Sequence, residues 1–168
     1  SIIMNYLSKS KTIYARKCIV KEVKDSKISN TFLNENHIQG GVGSKIKLGL
    51  YYEDNLVSLM TFGSLRKNLG QSSRENVFEL LRFCNLLNTN IIGGATKLFK
   101  HFIGLYSPKE VISYCDISKF NGSVYEKMGF SFAYVSVPNY YYIHDSNKFK
   151  RLNRWNFRKD ILVSEGYD

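Results

Sequence analysis

The feature that most constrains the fold is a strand-like segment followed by a helix that begins with two glycines. Residues 77–84 (VFELLRFC) are mostly apolar and aromatic, which is typical of a buried strand. A polar turn is predicted at residues 88–90, and Gly93 and Gly94 then open a helix. Apolar residues recur in that helix at positions i, i+3, i+4, i+7 and i+8, which predicts one buried face. Lys97, Lys100 and His101 take the opposite face.

The glycine pair at the helix start has two interpretations. Glycines there let a ligand approach the backbone, and the first N–H groups lie at the positive end of the helix dipole. This arrangement predicts an anion site suited to phosphate or pyrophosphate. The alternative is that Gly93 and Gly94 only allow a tight turn with close packing.

The other segments alternate between strands and short helices. Further strands are predicted at residues 18–23, 46–52, 56–62, 111–115, 130–135 and 139–143. Helices are predicted at residues 1–7, from Asp25 or Ser26 to about residue 36, at 122–128 before Gly129, and near 158–165. The strands at 46–52 and 56–62 are expected to form an antiparallel hairpin. Within residues 77–84, alternation places Leu80, Arg82 and Cys84 on one face, and Glu79, Leu81 and Phe83 on the other.

The charge of the chain favours a polyanionic partner. The chain has 168 residues, which is enough for one domain with a substantial core, and its formal net charge is +10. Nucleic acid is the best candidate partner, although the charge also increases solubility. Basic residues alternate with aromatic ones near the C-terminus, which suits contact with phosphates and base stacking. The predicted nucleic-acid contacts are Arg66, Lys67, Lys97, Lys100, Tyr140, Lys148, Lys150, Arg151 and Arg154.

Several other kinds of site receive no support from the sequence. The three cysteines lie far apart in apolar segments, which predicts reduced, buried thiols rather than a disulfide framework. The three histidines lack ligand spacing, so no metal site is expected. No apolar run approaches the roughly 20 residues of a membrane span. Residues 1–12 lack the apolar core of a signal peptide, and a cytoplasmic protein is therefore expected.

Two motifs in this order resemble the GNAT family of N-acyltransferases. Residues 90–95 (NIIGGA) are similar to the family's acyl-CoA pyrophosphate loop, with Asn90 in place of the usual Arg or Gln. Residues 124–130 (VYEKMGF) are close to the family's LYEKLGF segment. The resemblance implies an α/β (α+β) GNAT-like fold. Its central twisted sheet would be mixed and mostly antiparallel, with about six to seven strands flanked by helices.

The resemblance also implies roles for individual residues. Tyr125 matches the tyrosine that often protonates the leaving CoA thiolate, and Ser118 stands where the family has an asparagine, with Asn121 nearby but out of register. Asp116 and then His37 are the candidates for proton removal from the acceptor amine or for its binding. The expected contacts with acetyl-CoA or another acyl-CoA are Leu81, Phe83, Asn90, Ile92, Gly93, Gly94, Ala95, Ser118 and Asn121.

Each candidate also has a structural interpretation without catalysis. Tyr125 fits a packing tyrosine, Asp116 fits a cap of the following loop, and His37 fits an ordinary loop residue. Glu79 and Arg82 fit cross-strand charge pairs.

A second set of motifs extends over residues 13–168: ENHIQG, LGLYY, LVSLMTFG, ELLRFCN, IIGGATKLFK, ISYCD, NGSVYEKMGF and PNYYYI. This segment resembles the C-terminal module of phage Hef-like homing endonucleases more closely. A strand that ends in residues 113–116 (SYCD), followed by Gly122 and Tyr125, is more loosely similar to phage Mom-like proteins, which modify adenine bases in DNA. This implies residues 1–12 as a helix and linker from an upstream domain, 13–145 as the GNAT-like domain and 146–168 as a basic extension. It also implies a host bacterial cytoplasm.

Three functions follow from these resemblances. The first is a DNA-associated acyltransferase that modifies a base amine, and the second is a non-catalytic DNA-recognition module of an endonuclease. The third and weaker one is a small-molecule or protein N-acetyltransferase. The oligomeric state is not predicted.

Overall fold

The chain groups into two compact units. The structure is a computed structural model that describes residues 10–65, 72–118, 120–137, 140–144 and 147–166. The N-terminal unit extends to Ser131 and the C-terminal unit begins at Phe132. The domain boundaries expected at residues 12 and 145 remain predictions. The helix predicted at residues 1–7 lies outside the described residues.

The N-terminal unit contains seven described strands and three α-helices. The strands are β1 (Lys11–Tyr14), β2 (Ile19–Glu22), β3 (Ile46–Tyr52), β4 (Asn55–Gly63), β5 (Val77–Asn85), β6 (Thr89–Ile92) and β7 (Glu110–Ser113). The helices are α1 (Ser26–Asn36), α2 (Gly94–Tyr106) and α3 (Ser123–Met128), and a single 3-10 turn (Ala15–Lys17) joins β1 to β2. The mixed α/β class expected from the sequence is confirmed.

The sheet is mixed, as the sequence predicts. Its five-stranded part has the order β2-β3-β4-β5-β7, and β1 pairs with β6 separately. The pairs from β2 to β5 are antiparallel, whereas β5 and β7 are parallel, as expected for strands joined by the helix α2. The hairpin of β3 and β4 turns at Glu53 and Asp54, both of which have positive φ.

Helices cover both faces of this sheet. On one face, Leu98, Phe99 and Phe102 of α2 pack into the larger core cluster, where the Phe62 and Phe102 rings stack with centroids 3.7 Å apart. On the other face, Phe32 and Leu33 of α1 pack with a smaller cluster. The apolar spacing of α2 therefore marks its buried side, although Ile103 at the end of that stripe is 38% exposed.

The helix boundaries follow the expected capping chemistry. The Asp25 carboxylate accepts a hydrogen bond of 2.7 Å from the Lys27 N–H at the start of α1. Gly129 takes a left-handed conformation (φ 94°) and ends α3. Both features were predicted from sequence and are confirmed.

Several segments differ from the sequence prediction. The polar turn predicted at residues 88–90 is partly wrong, because Thr89 begins β6, which pairs in parallel with β1. Residues 130–135 are not a strand. The expected alternation along residues 77–84 is also wrong. A β-bulge at Leu81 shifts the alternation, so that Leu80 packs with the larger cluster while Cys84 packs with the smaller one.

The C-terminal unit is a hairpin followed by two short helices. Strands β8 (Tyr141–His144) and β9 (Asn147–Asn153) are antiparallel. A 3-10 helix (Arg154–Phe157) and the helix α4 (Lys159–Ser164) follow. The helix predicted near residues 158–165 is confirmed, whereas β9 was missed because its sequence reads as a charged extension.

Candidate active site

The start of α2 presents backbone N–H groups that have no partner within the helix. Gly93 adopts a left-handed conformation (φ 77°) and caps the helix without a side-chain hydrogen bond. The first intrahelical bond runs from the Lys97 N–H to the Gly93 carbonyl, at 3.0 Å. The N–H groups of Gly94, Ala95 and Thr96 come before that bond, at the positive end of the helix dipole. Asn90 and Ile92, on the strand that leads to this turn, are exposed.

The two glycines are required for different reasons. A Cβ on Gly94 would lie 2.8 Å from Ile91 Cγ2 and 3.3 Å from Leu50 Cδ1, so close packing excludes a side chain there. A Cβ on Gly93 would approach only Ala15 Cβ, at 3.8 Å, and Gly93 is exposed. The packing interpretation therefore applies to Gly94. The positive φ and open surroundings of Gly93 fit the interpretation as a ligand approach.

The pairing of the parallel strands β5 and β7 ends partway along β5, at the edge of the described five-stranded sheet. Their register begins with Val77 opposite Glu110 and ends with Leu80 opposite Ser113, while β5 continues to Asn85. On its other side, β5 pairs Leu80 with Phe62 and Arg82 with Thr61, so no β4 residue lies opposite Leu81. A bulged residue falls out of the regular hydrogen-bond ladder. The backbone of Leu81 thus lies just beyond the last β5–β7 pair, a point that we call the divergence of the two strands.

The side chain of Tyr125 lies at this divergence. Its hydroxyl donates to the Tyr114 carbonyl at 3.5 Å and also interacts with the Ser113 hydroxyl. The Ser113 hydroxyl in turn donates to the Leu80 carbonyl at 3.1 Å. Burial raises the pKa of Tyr125 above its ordinary value of 10.0, and the Ser113 hydrogen bond opposes part of that rise. Tyr125 is therefore protonated at neutral pH, as a proton donor must be.

Ser113 is the functional candidate that the sequence analysis missed. It ends a short strand, and its sequence context gives no sign that it contacts Tyr125. The pairing of Leu80 with Ser113 and the packing of Tyr125 against the larger core cluster together place the Ser113 and Tyr125 hydroxyls side by side.

The loop after β7 contains three further predicted site residues, all exposed. The Asp116 carboxylate accepts from the Ser118 N–H at 3.1 Å and from the Ser118 hydroxyl at 2.5 Å. The Asn121 side chain accepts from the Ser123 N–H at 3.2 Å, beside the start of α3. These contacts match the loop-capping interpretation of Asp116, and they involve both the N–H and the hydroxyl of Ser118.

His37 lies at the end of α1 next to the Arg82 guanidinium. Burial lowers the pKa of His37 to about 4, and the positive charge of Arg82 contributes to that decrease. The imidazole is thus neutral at pH 7, and its Nδ1 accepts from the Gln39 N–H at 3.1 Å. The ring proton must then be on Nε2. This tautomer favours the loop role of His37 over that of a proton acceptor.

Arg82 connects the bulge to the loop after α1. Its Nη1 donates to the Leu81 carbonyl at 2.8 Å and its Nε to the Gly40 carbonyl at 3.3 Å. A cavity of about 310 Å³ lies nearby, lined by Gly43, Ser44, Lys45, Gly63, Ser64 and Leu81. The Ser44 hydroxyl is buried in this region of the fold without a hydrogen-bond partner. Leu81 therefore faces a pocket that has polar lining groups.

Solved acetyltransferases share this architecture. An aminoglycoside acetyltransferase from an uncultured soil metagenomic sample, in complex with trehalose, has a TM-score of 0.57 and 15% identity over 77% of this chain and 98% of that chain. A ribosomal-protein-alanine N-acetyltransferase from Brucella melitensis biovar Abortus 2308 has a TM-score of 0.52 and 12% identity over 73% of this chain and 98% of that chain. A GNAT-family acetyltransferase from Streptococcus pneumoniae TIGR4 has a TM-score of 0.50 and 13% identity over 72% of this chain and 99% of that chain. The chain has the GNAT fold. No protein-family model matches the sequence, and no curated protein matches it significantly.

Two of the predicted nucleic-acid contacts lie on α2 of the GNAT fold, in different environments. Lys100 is exposed. The Lys97 ammonium instead donates to the Ala15 and Cys18 carbonyls, at 2.9 and 2.6 Å, which gives it a structural role.

The other predicted contacts are distributed between described and undescribed parts of the chain. In the C-terminal unit, the Arg154 guanidinium lies 5.2 Å from the Tyr140 ring centroid. Lys148, Lys150 and Arg151 are on β9, but their side chains lie outside the described part of the structure, as do Arg66 and Lys67.

Among the described residues, no group of three or more His, Cys, Asp or Glu side chains could hold a metal ion. No described helix is both long and apolar enough to span a membrane.

Proposed function

We propose that this protein is an acyl-CoA-dependent N-acyltransferase. The observation that carries the proposal is the position of the Tyr125 hydroxyl at the divergence of β5 and β7, beside the bulge at Leu81. The helix α3, which carries Tyr125, packs against α2, whose N-terminus has the unpaired amides. A helix start suited to an anion and a buried tyrosine hydroxyl both support the proposal.

Each group has a defined task in this proposal. The N–H groups at the start of α2 bind the pyrophosphate of CoA, and the edge of β5 that β7 leaves unpaired beyond Leu80 contacts the pantetheine. The amine of the acceptor attacks the thioester carbonyl, whose oxygen is stabilised by the backbone N–H of the bulged Leu81. Tyr125 then gives its proton to the departing thiolate. Asp116 is the proposed acceptor of the amine proton, because its carboxylate is exposed whereas His37 Nδ1 already accepts from the Gln39 N–H.

The acceptor we propose is an amine on a nucleic-acid base, with adenine in DNA as the first candidate. Aminoglycosides carry several protonated amines, and a chain with a net charge of +10 repels such a polycation while attracting a polyanion. The charge of this chain therefore favours an acceptor different from that of its aminoglycoside-modifying structural neighbour. A base within a duplex would have to be rotated out of the stack to reach this site.

A second candidate function is the non-catalytic DNA-recognition module of a homing endonuclease. It is favoured by Asn90 in place of the family's usual Arg or Gln, and by Ser118 in place of its asparagine. In this chain the N–H and the hydroxyl of Ser118 both donate to the Asp116 carboxylate. A protein or small-molecule acetyltransferase remains the third candidate, supported by the named activities of the structural neighbours.

Calorimetric titration with acetyl-CoA and with free CoA tests the proposal. The informative variant is Thr96→Glu, which adds a negative charge among the first residues of α2. A carboxylate there interacts favourably with the helix dipole, by about 0.3 to 1 kcal/mol, but repels a bound pyrophosphate. At about 6 Å and an effective dielectric constant between about 40 and 80, the repulsion from two phosphate charges is about 1 to 3 kcal/mol. Affinity should therefore fall by about 10- to 100-fold without loss of stability.

The matched control is His101→Glu, which makes the same change in formal charge about 7 Å further along the same helix. Its exposed side chain should leave CoA affinity nearly unchanged. Binding that Thr96→Glu does not weaken would contradict the proposed pyrophosphate site. If the wild-type protein binds neither acetyl-CoA nor CoA but still binds DNA, the recognition module becomes the better account.

The acceptor is tested separately by the release of CoA thiol. The protein should release thiol from acetyl-CoA faster when single-stranded DNA containing adenine is added than when an aminoglycoside or a peptide is added. Faster release with an aminoglycoside would refute the charge argument but leave the acyltransferase proposal intact.

A further inference from the structure

The C-terminal unit has an exposed group of side chains that we call the aromatic cluster: Tyr140, Tyr142, Arg154 and Phe157. The Tyr140 and Tyr142 rings are 5.7 Å apart in an edge-to-face arrangement. The Tyr142 and Phe157 rings are 4.8 Å apart. The Arg154 guanidinium lies 5.2 Å from the Tyr140 ring centroid. Residues from the start of the hairpin and from the 3-10 helix after it are thus assembled into one surface feature.

These rings contact one another and yet remain accessible. Tyr140, Tyr142 and Phe157 keep 53%, 43% and 37% of their surface exposed. Because side chains alternate along an extended segment, Tyr140 and Tyr142 lie on one face, and Tyr141 projects from the other. A continuous exposed aromatic surface is characteristic of an interaction site rather than of a folded core.

We propose that the aromatic cluster binds single-stranded nucleic acid by stacking unpaired bases on its rings. Base–aromatic stacking tolerates any sequence, because every base has a π face, and an adjacent guanidinium adds contact with phosphate or with the ring. The positive charge of Arg154 and the net charge of +10 are complementary to a polyanion, and they distinguish this surface from a purely apolar protein-docking patch. This inference goes beyond acyl transfer and requires no bound CoA.

The test is fluorescence anisotropy with a labelled oligothymidylate of about 16 nucleotides, with no CoA present. Tyr142→Leu and Phe157→Leu should each weaken binding by about 5- to 100-fold, since each removes a stacking surface. The matched control is Tyr141→Leu, the neighbouring tyrosine with similar exposure (50%), which should change the affinity less than twofold.

A second pair of variants tests the role of the guanidinium. Arg154→Gln should lower the slope of log affinity against log salt by about 0.7, the value for one contact with a single strand. Its control is Arg158→Gln, because the Arg158 guanidinium is already paired with both oxygens of Asp160, at 3.0 and 2.9 Å. The control should leave the slope unchanged. Arg154→Gln also tests the proposal with all three rings retained.

Folding is checked in every variant by its far-ultraviolet circular dichroism spectrum and its thermal transition. The proposal is overturned if Tyr141→Leu weakens binding as much as Tyr142→Leu, or if the folded Phe157 and Arg154 variants bind like the wild type. It is also overturned if an unlabelled duplex competes as well as the single strand. A cluster variant that changes only the sedimentation of the protein would instead identify a surface for self-association.

Discussion

The clearest energetic prediction concerns Lys97, whose side chain connects two distant parts of the N-terminal unit. Its ammonium donates to the Ala15 carbonyl at 2.9 Å and to the Cys18 carbonyl at 2.6 Å. Ala15 and Cys18 are only 4% and 3% exposed, so water does not easily replace the lost donor. A hydrogen bond to a charged group contributes about 1.5 to 3 kcal/mol. Because Lys97 is itself partly exposed, we expect Lys97→Met to reduce the free energy of unfolding by about 2 to 4 kcal/mol in total.

Urea denaturation followed by circular dichroism measures this loss. For a chain of this size it corresponds to a decrease in Tm of about 5 to 15 °C. Lys100→Met is the matched control, since Lys100 is exposed on the next turn of the same helix, and it should change stability by less than about 0.5 kcal/mol. For the salt dependence of nucleic-acid binding, we expect the opposite: the Lys100 variant should change it and the Lys97 variant should not. A phosphate contact by Lys100 contributes about 0.9 to the slope for duplex DNA, and Lys97 should contribute nothing. Equal stability of the two variants would refute the structural role of Lys97.

Three further predictions concern substitutions of Gly94, Tyr125 and His37. Gly94→Ala should destabilise the fold by about 1 to 3 kcal/mol because its Cβ would meet Ile91, whereas Gly43→Ala, with open space around it, should be neutral or slightly stabilising in thermal melts. Tyr125→Phe should lower acyl-transfer turnover by about 100-fold or more while the calorimetric Kd for acetyl-CoA stays unchanged, and an equal loss in both would contradict its role as proton donor. The pKa of His37 is lowered to about 4 in the fold, so the unfolded chain binds more protons between about pH 4 and 6.5, and stability falls as the pH falls through that window. His37→Asn should reduce this acid sensitivity in urea midpoints measured at pH 7 and pH 5, and an unchanged pH dependence would show that His37 is not its source.

The parts of the fold that the sequence predicts are those set by local chemistry. The periodicity of α2, the Asp25 cap, the glycine at the end of α3 and the hairpin of β3 and β4 all depend on residues that are close together in the chain. The two glycines at the start of α2 could likewise be recognised from their position between a strand and an amphipathic helix. Gly94 is needed for close packing and Gly93 for its positive φ, and these two reasons could be identified only from the three-dimensional structure.

The parts that were missed depend on residues far apart in the chain. The strands β1 and β6 have only four residues each, and their parallel pairing joins Lys11 to Thr89 across most of the unit. Neither strand has enough alternation to be identified alone, and residues 88–90 contain turn-forming asparagines. For the same reason, nothing near Lys97 in the sequence indicates that its ammonium binds the carbonyls of Ala15 and Cys18.

The bulge at Leu81 explains why the predicted alternation along β5 was wrong, and it also shapes the candidate site. Strict alternation would place Leu80 and Cys84 on the same face, and the extra residue places them in different core clusters. The same extra residue directs Arg82 towards the loop after α1, where it binds the Gly40 carbonyl, and it leaves the Leu81 backbone beside the divergence of β5 and β7. Arg82 also binds the Leu81 carbonyl, so the bulge is held by a charged side chain and not by the ladder alone. Bulges are over-represented next to active sites, so a bulge stabilised in this way supports a function for the Leu81 backbone. In the proposed reaction, that function is to stabilise the oxygen of the thioester carbonyl.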